Sequence, residues 1–440
     1  MGQGGYITLV NSTNSNWNRS DYHSYQMNSW NFPEIIAAKS SAKIYVEWSQ
    51  GFFENSSDDS GEVTYTLENT SNVSFQIQAR AFFRLQVYFS NLETSGNTKG
   101  STLQLAWNHD GIVNFLLSGR EGEYTASNLD AFSWMSDNIS LLGNKKLRNI
   151  CMAGSHDAGM SIRNSGTPFA FECNTLTQSC DILGQLNLGA RYFDIRPVIS
   201  GGHYYTGHYG HVEAISSWQG SNGQSIQSII NNINEFTASR NELVILNFSH
   251  SLNTDVGNNS YRTFTQGEWD GLLNELSSIK KLFITSDSKN PDLTLLTLND
   301  FISDGPSVLL IFEDDNVQLG DKENKGFYYH SCFNAYNEYA NSDNVLSMSE
   351  DQIEKMNREM PNNYFLLSWT LTQNNTQAST CCTALASSIK QLANKANQEL
   401  AYRLYPAISG NHYPNIIFVD YIDTSEATAM AMAVNWFIHG

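Results

Sequence analysis

No stretch of this 440-residue chain approaches the roughly 20 consecutive apolar residues of a membrane-spanning helix, so none is expected. Positive charge is also scarce. Lys and Arg number 25 against 44 Asp and Glu, giving a formal net charge of −19, and there is no basic run. Such a chain repels nucleic acid phosphates, which excludes a nucleic acid partner, and it does not dock electrostatically on an anionic membrane. Contact with a lipid surface then falls to exposed aromatics, a neutral surface or a partner. The opening Met1-Gly-Gln-Gly-Gly-Tyr6 lacks the basic-then-apolar layout of a signal peptide. Tyr6 also stands where a myristoylation pattern requires Ser or Thr. There is no internal repeat.

Cysteines are few: Cys151, Cys173, Cys180, Cys332, Cys381 and Cys382, at spacings that fit no zinc site. Their even number, the low charged content and sequons such as Asn11-Ser-Thr13 and Asn72-Val-Ser74 suit a secreted or extracellular protein. Cys173 and Cys180, across a short loop, are the expected local bridge. Buried free thiols are the plainer alternative for several of the six.

The chain is 40% hydrophobic and 12% aromatic, enough for a substantial core. Its length suggests two or three domains, though one barrel by itself can use about 250 residues. Residues 1–120 read as an all-β, sandwich-like accessory domain. Gly5–Val10, Ala42–Trp48, Glu62–Leu67, Val73–Gln78 and Phe83–Phe89 alternate apolar and polar residues between Asn, Ser and Gly clusters. Trp17, Trp30 and Trp48 are expected in its core, with a sugar- or lipid-binding face as the alternative. The boundary falls at the turn formers Ser118-Gly-Arg-Glu-Gly122, and a helix begins at Asp130-Ala-Phe-Ser-Trp-Met135.

Residues 121–440 alternate short apolar strands with amphipathic segments. The strands are Asn149–Ala153, Ala190–Ile195, Leu243–Phe248, Ser307–Phe312, Tyr364–Ser368 and Ile416–Asp420. Gln224–Phe236 has helical periodicity through Ile226, Ile229, Ile230, Ile233 and Phe236. Such units predict an α/β fold, either a parallel β/α barrel or a doubly wound sheet. In a barrel the chemistry sits at the C-terminal strand ends. His156 and Asp157 follow the first strand; Asp194 and Arg196 end the second. His208 follows a short third strand, His203–Thr206, and Asp420 ends the last.

Three segments carry a family resemblance. Trp134-Met-Ser, Leu147-Arg-Asn-Ile-Cys-Met-Ala-Gly-Ser-His-Asp-Ala-Gly159 and Leu188-Gly-Ala-Arg-Tyr-Phe-Asp-Ile-Arg196 resemble the opening of the phosphatidylinositol-specific phospholipase C catalytic domain. Tyr205-Thr-Gly-His208, Arg240-Asn-Glu-Leu-Val-Ile245 and Val419-Asp-Tyr421 follow in that family's order. The resemblance covers about residues 130 to 440 and leaves the N-terminal domain outside it. It implies a distorted TIM-type β/α barrel, a phosphodiesterase and phosphorus–oxygen lyase acting in lipid metabolism, and a phospholipid or lipid-anchor substrate at a membrane surface.

By this resemblance His156 is the general base, with Asp420 orienting it. His208 is the acid, assisted by Asp157, and Arg196 clamps the phosphoryl oxygens. Asp194 supports His208 or the substrate, and Trp369 and Tyr421 line the pocket or serve as core aromatics. His203 and His211 compete with His208 for the acid's role; His250 and His330 read as structural. The calcium-dependent branch carries acidic ligands where this chain has Arg196 and Ser249, so the metal-independent bacterial type is implied, with no metal and no cofactor. Where bacterial enzymes hold inositol with an arginine, this chain reads Glu313-Asp-Asp315. Alternatives are a phosphodiesterase for another glycerophosphodiester or a sphingolipid, and a surface-binding or lytic protein with an inactive barrel.

Overall fold

Runs such as Leu243–Phe248 and Ser307–Phe312 are apolar at nearly every position, as a strand covered on both faces must be. In a computed structural model, which describes residues 3–51, 55–285, 291–383 and 386–440, these runs join one parallel sheet. Met1 and Gly2 of the opening segment lie outside the described residues. The chain divides into two units. One holds the chain up to Asp130 with Asn397–Tyr413 and Ser425–Gly440; the other holds Ala131–Ala396 and Pro414–Thr424.

Among the described residues the second unit contains one sheet of eight parallel strands: β1 Met152–Ser155, β2 Tyr192–Ile195, β3 Leu243–Phe248, β4 Ser307–Phe312, β5 Phe327–Tyr329, β6 Ala335–Tyr336, β7 Tyr364–Trp369 and β8 Ile416–Val419. Their order is β5-β4-β3-β2-β1-β8-β7-β6. This is the order of an eight-stranded barrel opened between β5 and β6, which do not pair among the described residues. The sequence reading missed β5 and β6. At three and two residues they are too short to show a period.

Helix Ile226–Thr237 buries the predicted Ile226, Ile229, Ile230, Ile233 and Phe236, and Ser225 caps it by accepting from Ser228 N–H. The expected third barrel strand, His203–Thr206, is not in the parallel sheet. It begins a longer strand, His203–Val212, that pairs antiparallel with Pro197–Ser200 and Ser217–Ser225 in a separate five-stranded sheet. The reason is local: the tight turn at Gly201-Gly202, both at positive φ, folds the chain straight back on itself.

The first unit carries two sheets around one apolar cluster. Gln3–Thr13 pairs antiparallel with Ser40–Trp48 and parallel with Ile112–Gly119 in a five-stranded sheet. Trp17–Tyr25, Ser60–Leu67, Ser74–Arg80, Arg84–Tyr88 and Thr102–Leu105 belong to a six-stranded one. Trp17, Trp30 and Trp48 are buried in the shared cluster, and so offer no binding face. This unit is not all-β, because helix Glu426–His439 belongs to it. Residues Thr428 to Trp436 of that helix are buried, and Ser12 Oγ donates to the Ala433 carbonyl at 2.6 Å. A helix that is apolar all round must be covered on every side.

Candidate active site

The register of the parallel sheet assembles the site. Ser155 of β1 lies opposite Val419 of β8, so the next residues, His156 and Asp420, emerge side by side. His156 Nδ1 is 2.7 Å from Asp420 Oδ1. On the other flank Ser155 faces Phe193 of β2, and Asp157 N–H donates to Asp194 Oδ2 at 3.1 Å. Asp194 in turn faces Asn247 of β3, and Ser249 beyond β3 donates its hydroxyl to Asp194 Oδ1 at 2.6 Å.

Arg196 stands at the centre of the network. Its Nε donates to Asp194 Oδ2 at 2.9 Å, its Nη1 lies 3.8 Å from Asp157 Oδ2, and its Nη2 lies 2.8 Å from His156 Nε2. Nη2 also donates to the Tyr339 hydroxyl at 3.3 Å. Since a guanidinium only donates, this contact requires an unprotonated His156 Nε2, and the proton sits on Nδ1 toward Asp420. His208 reaches the same place from the antiparallel sheet, with Nδ1 2.6 Å from Asp157 Oδ2. Each imidazole is thus held at Nδ1 by its own buried carboxylate. His156, Arg196, His208, His250, Tyr339, Thr177 and Asp420 line one cleft of about 320 Å³.

Backbone strain accompanies this arrangement. Asp157, His250 and Tyr421 adopt φ of 42°, 50° and 52°, a region that disfavours non-glycine residues. Strain of this kind persists only where the surroundings over-determine it. Thr177 supplies much of that constraint, donating its hydroxyl to the Asp157 carbonyl at 2.8 Å and accepting from Tyr421 N–H at 2.7 Å. Gly159 is required by proximity. A Cβ there would come within 2.2 Å of the Thr206 side chain, on the strand that carries His208.

Burial raises a carboxyl's pKa, but the charge of Arg196, helped by His156, His250 and the Ser249 hydroxyl, holds Asp194 down to about 2. Burial opposes the charge of Arg196 as well, yet Asp194 and Asp157 raise its pKa above the usual value. Burial pushes Glu313 up, the opposite direction, despite a 2.7 Å hydrogen bond from Asn247 Nδ2. His250 is lowered by burial and by Arg196.

A folded pKa near 2 against about 3.9 unfolded means that ionised Asp194 stabilises the protein above pH 4. The contribution is about 2–3 kcal/mol and is lost as the pH falls toward 2. Urea denaturation of Asp194→Asn across pH 2–7 is expected to show lower stability at pH 7 and a flatter fall between pH 4 and pH 2. An unchanged acid limb would refute the assignment.

The structure brings together all five residues assigned to catalysis from the sequence: His156, Asp157, Arg196, His208 and Asp420. Asp194 is engaged by Arg196 and Ser249 and is almost wholly buried, which suits it to hold Arg196 rather than to meet a ligand. Two pocket assignments are corrected. Trp369 is fully buried and donates its indole N–H to the Ala396 carbonyl at 2.8 Å, because alternation along β7 turns it away from the cleft. Tyr421 turns back at its positive φ, and its hydroxyl donates to the Leu176 carbonyl at 2.9 Å. Glu313 is tied to Asn247 and does not line the cleft.

Cys173 is bonded to Cys381, not Cys180. Helix Glu172–Thr175 meets the segment around Ala378, while Cys180 Sγ turns toward the Ile422 carbonyl. Sequence reasoning passed over Tyr339 and set His250 aside. The position of His250 two residues after the end of β3 was a usable signal; Tyr339, in a loop far along the chain, gave none.

No family model matches the chain. A PI-PLC X-box domain-containing protein of Dictyostelium discoideum is 25% identical over 198 residues. That alignment covers 42% of this chain and 23% of the relative's length. A mutant phosphatidylinositol-specific phospholipase C from Staphylococcus aureus has a structure 17% identical, covering 69% of this chain and 98% of its own, with a TM-score of 0.47. The phosphatidylinositol-specific phospholipase C of Listeria monocytogenes is likewise 17% identical over 69% of this chain and 98% of its own, with a TM-score of 0.46.

Proposed function

We propose that the chain cleaves the phosphodiester of phosphatidylinositol, or of a related inositol phospholipid or lipid anchor, by attack of the inositol 2-hydroxyl on phosphorus. The observation that carries this reading is the pair of imidazoles, each held at Nδ1 by a buried carboxylate, that line one cleft with a single guanidinium. An internal displacement needs a base, an acid and a fixed positive charge, and these groups supply one of each.

His156 Nε2 takes the 2-hydroxyl proton as the oxygen–phosphorus bond forms, displacing Arg196 Nη2 from that nitrogen. Arg196 then meets the phosphoryl oxygens, where a planar fork offers two donors. His208 in its protonated form gives its proton to the departing glycerol oxygen, releasing diacylglycerol and a cyclic 1,2-phosphate. Each proton transfer contributes about 10²–10⁴-fold. The guanidinium supplies the positive charge in this scheme, which makes the reaction metal-independent.

An acidic chain meets lipid more readily through apolar than through charged groups. Phe169 and Phe171, at 62% and 41% exposure, suit that contact. They adjoin the cleft through Asn174, which donates from Nδ2 to the Phe169 carbonyl and accepts from Phe171 N–H. The Cys173–Cys381 disulfide supports a secreted or extracellular site of action for this reading. Residue 313 is a glutamate tied to Asn247 and supplies no arginine to hold inositol hydroxyls, which leaves a second reading in which acid–base chemistry at this site acts on another glycerophosphodiester or a sphingolipid. Phosphorus NMR of the protein with phosphatidylinositol micelles and EDTA is expected to show a cyclic inositol phosphate resonance. Absence of that signal with every inositol lipid, while another phosphodiester is cleaved, would establish the second reading instead.

A further inference from the structure

Beside the cleft lies a cluster of sulfur atoms that the proposed reaction does not use. Cys173 Sγ is bonded to Cys381, and the neighbouring Cys382 places its own Sγ 3.2 Å from that of Cys173. All three sulfurs lie within 4.8 Å of one another. Cys381 is buried and Cys382 is exposed. The attacking sulfur, the central sulfur and the leaving sulfur of a disulfide exchange are therefore already assembled.

This cluster adjoins the cleft through its neighbours. The Cys173 carbonyl accepts from Gln373 Nε2 at 3.3 Å, and Asn174 Nδ2 donates to the Ala378 carbonyl at 2.8 Å. Asn174, Gln373 and Ala378 all line the cleft.

We propose that Cys173, Cys381 and Cys382 form a thiol–disulfide exchange site, with Cys382 the thiol open to modification by small disulfides and alkylating agents. Cys382 loses its proton to solvent and its thiolate attacks Cys173 Sγ. The Cys173–Cys382 bond forms as the Cys173–Cys381 bond breaks, and the released Cys381 thiolate takes a proton from solvent. One disulfide and one thiol stand on each side, so no oxidant or reductant is consumed.

The two pairings differ in what they present. With Cys381 bridged, the remaining thiol is exposed; with Cys382 bridged, it occupies a buried position. Exchange also moves the anchor by one residue, about 3.8 Å of chain. That anchor stands at the end of helix Asn375–Thr380, whose Ala378 lines the cleft. A small disulfide that reacts at Cys382 blocks the attacking sulfur and locks the first pairing.

The test reads thiols and is independent of the phosphodiesterase reading. The wild-type protein is held at pH 8, quenched to pH 5 where thiolate is scarce, and labelled with N-ethylmaleimide in denaturant. Tandem mass spectra are expected to place label on both Cys381 and Cys382. Label on Cys382 with none on Cys381 overturns exchange. In Cys381→Ser, Cys173 is expected to bridge Cys382, leaving three titratable thiols of the five cysteines. Five titratable thiols would show that Cys382 cannot replace Cys381.

Discussion

Replacement of His156 by alanine is expected to lower phosphatidylinositol cleavage by about 10²–10⁴-fold. The ring is held by Asp420 at Nδ1 and faces Arg196 at Nε2, and in the proposed reaction Nε2 is the atom that takes the hydroxyl proton. Asp420→Asn leaves a side chain of the same shape but offers Nδ1 an amide that can donate as well as accept. The tautomer with a free Nε2 is then no longer enforced, and a loss of similar order is expected. Groups that act as one unit are not additive. The double variant His156→Ala/Asp420→Asn is therefore expected to be no slower than His156→Ala alone. A multiplicative loss in initial-rate assays would mean that Asp420 acts independently of His156, and near-native activity of His156→Ala would remove the base.

Arg191 governs stability in the same unit. It is fully buried, as is its partner Glu242. The guanidinium donates to Glu242 Oε2 through Nε at 3.0 Å and Nη2 at 2.8 Å. Its remaining hydrogens go to the carbonyls of Leu186, Ala190, Ala131 and Phe132. Glu242 in turn accepts from the backbone N–H groups of Met135 and Ser136, so it also serves the start of helix Trp134–Asp137.

Arg191→Ala strands a buried carboxylate and leaves several carbonyls without donors, and is expected to cost about 3–5 kcal/mol in guanidinium denaturation. Arg191→Met fills the volume but still strands Glu242, and is expected to cost nearly as much. Arg191→Met/Glu242→Leu removes both charges and is expected to recover part of the loss. Two helix N–H groups remain unmet in that variant, at about 1–3 kcal/mol each. A double variant worse than either single change would refute this account.

The core strands were legible because they are long apolar runs between turn formers. Leu243–Phe248 and Ser307–Phe312 are found at the residues expected from the sequence. The first strand was placed too early. Met152–Ser155 starts three residues after the expected Asn149, because Leu147–Asn149 forms a 3₁₀ turn first. Helix Ile226–Thr237 was legible through its isoleucine period and its serine cap. Helix Glu426–His439, which the sequence reading did not single out, belongs to the first unit; uniform apolarity says that a helix is buried but not what covers it.

Taken alone, the sequence placed several of the candidate groups at strand ends, though it passed over Tyr339 and His250. A histidine and an aspartate after one strand, an arginine after the next and an aspartate after the last follow from local patterning and from the strand-end rule. Only the tertiary structure decided their partners. Asp420 meets His156 across 264 positions because β1 and β8 pair with Ser155 opposite Val419. His208 arrives on an antiparallel strand, Tyr339 on a distant loop, and Cys381 reaches Cys173 across 208 residues. Trp369 lost its place in the pocket to the alternation of β7. Periodicity is a property of neighbours in the chain, whereas register, facing direction and burial depend on what the rest of the fold brings alongside.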